Sequence, residues 1–168
     1  PYPKVRLVQE AVNHGFSRGN NLAARQATGE YLVILNNDTL PRRDWLRPLV
    51  DMQRSLDGVG IVGSQLVNAA NETLFAGGYF QPDISAYNSA FRNYPPGAAN
   101  EARECEVYIA CGILIRRDLF DSVGGFPAIP LMEDIALSKI LKSQSAPLCL
   151  HACITASGRL WDQRGVLR

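Results

Sequence analysis

Two acidic segments carry the most chemistry. Asn36-Asn37-Asp38 follows the apolar run Tyr31-Leu32-Val33-Ile34-Leu35 and precedes Thr39 and Pro41. In open α/β sheets, ligands bind beyond the carboxyl ends of the strands, and this cluster sits at such an end. The Asp38 carboxylate and the Asn36 amide oxygen, two residues apart on a tight turn, can face one point. That pair suits a hard divalent ion already held by a diphosphate, because Mg²⁺ takes few protein ligands beside phosphate and water. A plain Asn/Asp turn is the other reading of the same residues. Glu133-Asp134 opens an apolar helix after a loop holding Pro127, Pro130 and Met132. A carboxylate there can act as a general base toward a hydroxyl, or simply complement the helix dipole.

Other candidates are weaker. Asn13-His14-Gly15-Phe16 with Arg18-Gly19-Asn20-Asn21 joins glycines, which let backbone approach a phosphate or ribose, to a helix start that favours anions. It matches neither the Walker A pattern nor G-x-G-x-x-G. Arg159, Trp161 and Arg164 mix guanidinium and indole chemistry that could meet a sugar face or a pyrophosphate, or form a solvated tail. His14 in a turn and His151 in an apolar strand read as structural. Cys105, Cys111, Cys149 and Cys153 have spacings C-x5-C and C-x3-C with no His at ligand spacing, so they read as free, small apolar thiols in a reducing compartment.

The elements that must position these groups follow from period and punctuation. Val5–Val8 alternates briefly. Ser17 is expected to cap a helix to about Ala27, stopped by Gly29. Tyr31–Leu35, apolar without alternation, reads as a strand buried on both faces of a parallel sheet. Asp44 is expected to cap a helix with Leu46, Leu49, Val50 and Leu56 inward. Val59–Val67 and Leu74–Phe80 are strand candidates. No period is visible through 81–104, which is expected to be a mobile loop. Glu106–Ala110 and Ile113–Ile115 read as strand material, Asp118–Val123 as a short helix, Glu133 to about Lys142 as a longer one, and Leu148–Ile154 as a last strand. This order predicts a single α/β domain over residues 1–168.

Composition narrows the function classes. With 168 residues, 46% hydrophobic and 20% charged, the chain is long and apolar enough to bury a core, which excludes disorder as the main state. Lys plus Arg is 17 against 16 for Asp plus Glu. That balance provides no field for a polyanion, so nucleic acid is not the expected partner. No run of about 20 apolar residues exists to span a membrane. The sequence opens at Pro1 beside a strand-like segment and is read as an excerpt of a longer protein.

Taken in order, the segments resemble family 2 glycosyltransferases of the GT-A fold, and the rhamnosyltransferase-like members in particular. The stretch N-H-G-F-S-R-G-N-N-L-A-A-R-Q-A-T-G-E-Y-L-V-I-L-N-N-D-T resembles the family's central block, with N-N-D at its metal motif. G-I-L-I-R-R-D-L-F-D-S-V-G-G-F-P followed by M-E-D-I-A-L resembles its second half. The resemblance implies a Rossmann-like α/β/α sandwich with a mostly parallel central sheet, N-terminally incomplete because the family's first nucleobase-binding strands are absent before Pro1. It implies metal-dependent, inverting transfer of a sugar from a nucleotide-diphosphate sugar to an acceptor hydroxyl, of the cell-surface polysaccharide or glycolipid type. Asp38 and Asn36 would hold Mn²⁺ or Mg²⁺. Asp134 would be the base, with Glu133 beside it. Gly15, Arg18, Asn21, Asn36, Asn37 and Asp38 would face a UDP- or dTDP-sugar. Met132, Arg159 and Trp161 would lie toward the acceptor or diphosphate.

The resemblance further implies a saccharide or lipid-linked acceptor. It implies a cytoplasmic protein, or one at the inner membrane face through segments outside this sequence. An open sheet edge would favour dimers. The alternatives are a non-catalytic nucleotide- or sugar-binding remnant and a nucleotidyltransferase.

Overall fold

A computed structural model describes residues 5–80, 87–89, 102–145 and 147–156. The strands are β1 (Tyr31–Ile34), β2 (Thr39–Pro41), β3 (Ile61–Val67), β4 (Thr73–Phe75), β5 (Gly78–Phe80), β6 (Tyr87–Ser89), β7 (Arg103–Glu104), β8 (Ile113–Arg116) and β9 (Leu148–Ala156). The helices are α1 (Gly15–Gln26), α2 (Leu46–Ser55), α3 (Arg117–Ser122) and α4 (Glu133–Lys142). Seven strands form one sheet whose main path runs β1-β8-β3-β9-β2, with β4 on β3 and β7 on β9; β5 and β6 form a separate ribbon.

β3 is the spine of the sheet, and each of its seven residues is buried. Helix α2 packs on β3 and β9, and α3 packs on β8. Leu49, Leu137, Leu141, Ile115 and Ile154 join one continuous core.

The sheet is mixed, which corrects the expectation of a mostly parallel one. Among the described residues β3 and β9 are parallel, while β1–β8, β3–β8, β2–β9, β3–β4 and β7–β9 are all antiparallel. An apolar run shows that a strand is covered, but not which way its neighbour runs. β1 also differs from a strand buried on both faces. Leu32 and Ile34 are buried, while Val33 is 39% and the following Leu35 40% exposed, so β1 shows one face to solvent.

Two caps differ as well. Gly15, at φ 73°, starts α1 ahead of Ser17, and Asn13 Oδ1 accepts its N–H at 2.9 Å. Ser17 therefore lies inside the helix. Asp44 is exposed with φ 58°, and Trp45 takes the cap position of α2. Trp45 turns inward because its indole N–H donates to Ser64 Oγ at 2.7 Å. In the stretch expected to be loop, Tyr87–Ser89 and Arg103–Glu104 are strands; positions 81–86 and 90–101 lie outside the described residues.

Candidate functional site

The turn bearing Asp38 is closed by its own neighbours. The N–H and hydroxyl of Thr39 both donate to the Asn36 carbonyl, at 3.2 and 2.6 Å. Ladders anchor the turn on both sides. Tyr31–Ile34 pairs with Ile113–Arg116, and Thr39–Pro41 pairs with Ile154–Ala156. Asn37 and Asp38 are exposed at the carboxyl end of β1, and Asn36 is half-buried.

Asp134 sits in the first turn of α4 and is half-buried. Its Oδ1 accepts the N–H of Ile135 at 2.8 Å and its Oδ2 that of Ala110 at 3.3 Å. Burial pushes its carboxyl above the ordinary aspartate range, the two N–H donors oppose that rise, and the neighbouring Glu133 adds to it. A carboxylate with a raised affinity for a proton is a better base near neutral pH than a free one.

Cys111 joins the two acidic segments. Its half-buried thiol is pushed up to about 12, by burial first, then by Asp38, then by Asp134. Both carboxylates therefore act on one side chain, although 96 positions separate them in the chain (134 − 38). The residue after Cys111 is pinned. The Gly112 carbonyl accepts from the N–H of Ser64 at 2.9 Å and from its hydroxyl at 2.7 Å. A Cβ on Gly112 would lie 2.2 Å from Ile154 Cδ1, so a larger residue here would require the buried Ile154 side chain to move. No local pattern marked Cys111. The chain has four cysteines, and only the fold brings this one under the influence of both acids.

The remaining candidates divide. Gly15 and the exposed Arg18 lie at the start of α1. Asn21, expected on the nucleotide side, has its amide held by the Phe126 backbone from both ends. Phe126 in turn packs edge-on against Phe16 and Phe120, at centroid distances of 5.3 and 5.6 Å. The start of α1 is thus fastened to the loop that leads into α4. Glu133 is half-buried beside Asp134. Met132 precedes it at φ 64° and is 46% exposed, closing a run of exposed apolar residues from Ala128. Arg159 and Trp161 lie outside the described residues. His14 meets Glu10 at 3.3 Å.

Comparison with known proteins decides the family. Residues 1–124 match the model for Glycosyl transferase family 2. The chain belongs to that family. This family 2 domain is also 32% identical over 130 residues to the O-antigen biosynthesis protein RfbC of Myxococcus xanthus, covering 72% of the chain and 10% of that protein. Its fold matches GalNAc-T7, solved with UDP, GalNAc and Mn²⁺, at TM-score 0.71 and 14% identity, covering 90% of the chain and 32% of that structure. The mannosyltransferase PcManGT of Pyrobaculum calidifontis, solved with GDP-Man and Mn²⁺, matches at TM-score 0.59 and 21% identity, over 90% of the chain and 39% of that structure. The domain therefore has the GT-A fold and spans well under two thirds of each of these proteins.

Proposed function

We propose that this glycosyltransferase domain carries out metal-dependent, inverting transfer of a sugar from a UDP- or dTDP-sugar to the hydroxyl of a saccharide or lipid-linked acceptor in cell-surface polysaccharide or glycolipid assembly. One observation carries the reading: Asp134, a half-buried carboxylate at the start of α4, is held by the Ile135 and Ala110 N–H groups, in a domain whose Asn36-Asn37-Asp38 turn ends β1. Family membership and the two nucleotide-sugar-bound neighbours support it.

The donor chemistry fits a divalent ion. Asp38 and Asn36 offer hard oxygen atoms, the class that Mn²⁺ and Mg²⁺ take. Among the described residues no group of three or more His, Cys, Asp or Glu is placed to hold a metal ion. An ion held by Asp38 and Asn36 would take its other ligands from diphosphate and water. When bound, such an ion supplies Lewis-acid stabilisation of the leaving diphosphate.

The chain's own groups do the rest. Gly15 and Arg18 face the nucleotide side, where glycine backbone and a guanidinium suit a ribose or phosphate. Asn37 lines the same turn. Asp134 takes the proton of the acceptor hydroxyl, whose oxygen attacks the anomeric carbon in line as the bond to the diphosphate breaks. Glu133 orients the acceptor, and the exposed run ending in Leu131 and Met132 forms its apolar lip. No helix among the described residues is long and apolar enough to cross a membrane.

A thermal shift series with Mn²⁺ and UDP, dTDP or GDP tests the donor site. Ligand at about 100 times its dissociation constant adds roughly 2.7 kcal/mol, or several degrees at about 2–4 °C per kcal/mol. A metal-dependent shift abolished by Asp38→Ala is expected. A shift that survives Asp38→Ala would overturn the ion assignment.

A further inference from the structure

Asp134 is gripped twice by one short segment. The first grip is through its side chain, whose Oδ2 accepts the Ala110 N–H at 3.3 Å. The second passes through a single atom. Ser138 lies one turn along α4, fully buried at 2% exposure. Its hydroxyl donates to the Asp134 carbonyl at 2.8 Å, with the Tyr108 carbonyl as a second acceptor at 3.2 Å. The same oxygen accepts the Tyr108 N–H at 3.0 Å. Ser138 Oγ therefore bridges the main chain of residue 134 to the main chain of residue 108, two positions before the Ala110 donor.

The far side of the bridge is rigid. The Tyr108 ring occupies the space left by Gly63, where a Cβ would lie 1.5 Å from Tyr108 Cε1. Its hydroxyl donates to the Leu148 carbonyl at 2.8 Å. Tyr108 is thus keyed into the two central strands, and Ser138 passes that fixity to the first turn of α4. A serine bonding back to residue i−4 adds little to a helix by itself. Here the hydroxyl has a second task outside the helix.

We propose that Ser138 is the positioning residue of the base, setting the Asp134 carboxylate against the Ala110 N–H by clamping the first turn of α4 to the Tyr108 backbone. This rests on Asp134 being the base. Without the hydroxyl, the Tyr108 N–H loses its acceptor, α4 is free to shift, and the Ala110 N–H no longer meets Oδ2. That N–H is one of the backbone donors that favour the ionised form. The charged and titratable groups facing Asp134 are Glu133 on its own helix and Cys111 on the strand side.

Two readouts separate positioning from simple stability. The Ala110 amide shift, followed by NMR against pH with no ligand added, reports the ionisation of Asp134 through their hydrogen bond. In Ser138→Ala its inflection is expected to move to higher pH. The kcat for transfer from whichever UDP-, dTDP- or GDP-sugar turns over is expected to fall about 10- to 100-fold, as for a reacting group displaced by a fraction of an ångström to one ångström, with the donor KM unchanged. Ser138→Thr, which keeps the hydroxyl, should restore both. Ser138→Cys, close to isosteric, provides a folded intermediate case. A Ser138→Ala protein that melts lower yet keeps the wild-type inflection and kcat–pH profile would overturn the positioning role. If Asp134→Asn turns over like wild type, the base assignment fails whatever Ser138 does. If Asp134→Asn is inactive and Ser138→Ala matches wild type in both readouts, the positioning role alone fails.

Discussion

The Asn21 side chain holds both main-chain polar groups of Phe126. It donates to the Phe126 carbonyl at 2.9 Å and accepts the Phe126 N–H at 2.9 Å, across 105 residues of chain. Gly125 makes this possible. A Cβ there would lie 2.5 Å from Asn21 Oδ1, and its φ of 76° is one that L side chains rarely adopt. The asparagine thus acts as a short strand edge between α1 and the loop entering α4.

Asn21→Ala is expected to destabilise the domain by about 1–3 kcal/mol, since it leaves two partly buried backbone groups without partners. Urea unfolding checks this. Asn21→Asp should be no better, because a carboxylate cannot donate to the Phe126 carbonyl. A variant as stable as wild type would show that water replaces the amide at no loss.

The pH dependence of stability follows from Asp134. Its folded value is raised above 3.8, chiefly by burial, so the native state keeps this proton longer than the unfolded chain does. Stability is therefore lost as pH rises through the window that opens near 3.8 and extends upward. Asp134→Asn should remove this loss and abolish transfer at once. Melting temperatures of the two proteins, measured from pH 4 upward, should diverge in the variant's favour. Parallel curves would mean that the carboxylate is not desolvated in solution.

Gly63→Ala places a methyl group into a rigid ring rather than a flexible chain end. Overpacking of this kind costs about 1–3 kcal/mol, and more where nothing can move. Tyr108 is 2% exposed and tied to Leu148, so the upper end of that range is expected. Loss of the Tyr108–Ser138 contact should lower activity in the same variant. Chemical denaturation and transfer assays on one preparation test both.

β1 ends the main path of the sheet, and among the described residues it pairs with β8 alone. Open strand edges associate unless charge or cover prevents it. For these 168 residues expressed alone, we predict concentration-dependent dimers in sedimentation velocity, weakened by Val33→Lys on the exposed face. A wild-type protein that stays monomeric at high concentration would remove this expectation.

The candidate site residues were named from local chemistry. N-N-D after an apolar run and E-D at a helix start are readable without a fold, and α4 spans Glu133–Lys142 as its period indicates. Groups defined by distant partners were not. Ser138 is an unremarkable helical serine until Tyr108 is placed beside it, and Cys111 is one cysteine of four until the fold brings it under the influence of Asp38 and Asp134. The same logic explains the caps. Asp44 has the right side chain, but the demand of Ser64 for the Trp45 indole sets the start of α2. Strand direction failed for a related reason. β8 runs antiparallel between β1 and β3, a relation that no stretch of apolar residues encodes.

The order of the sheet has a consequence for how the protein is made. β3 lies between β8 and β9, yet it leaves the ribosome first. Its parallel partner begins at Leu148, 81 residues after Val67 (148 − 67). At synthesis rates of about 5–20 residues per second, that interval is roughly 4–16 s. Throughout it, seven consecutive residues destined for full burial have no parallel neighbour. A nascent chain stalled between β3 and α4 would carry Asp38 without Asp134 and a central strand with open flanks. Such a chain is a natural client for a holdase chaperone.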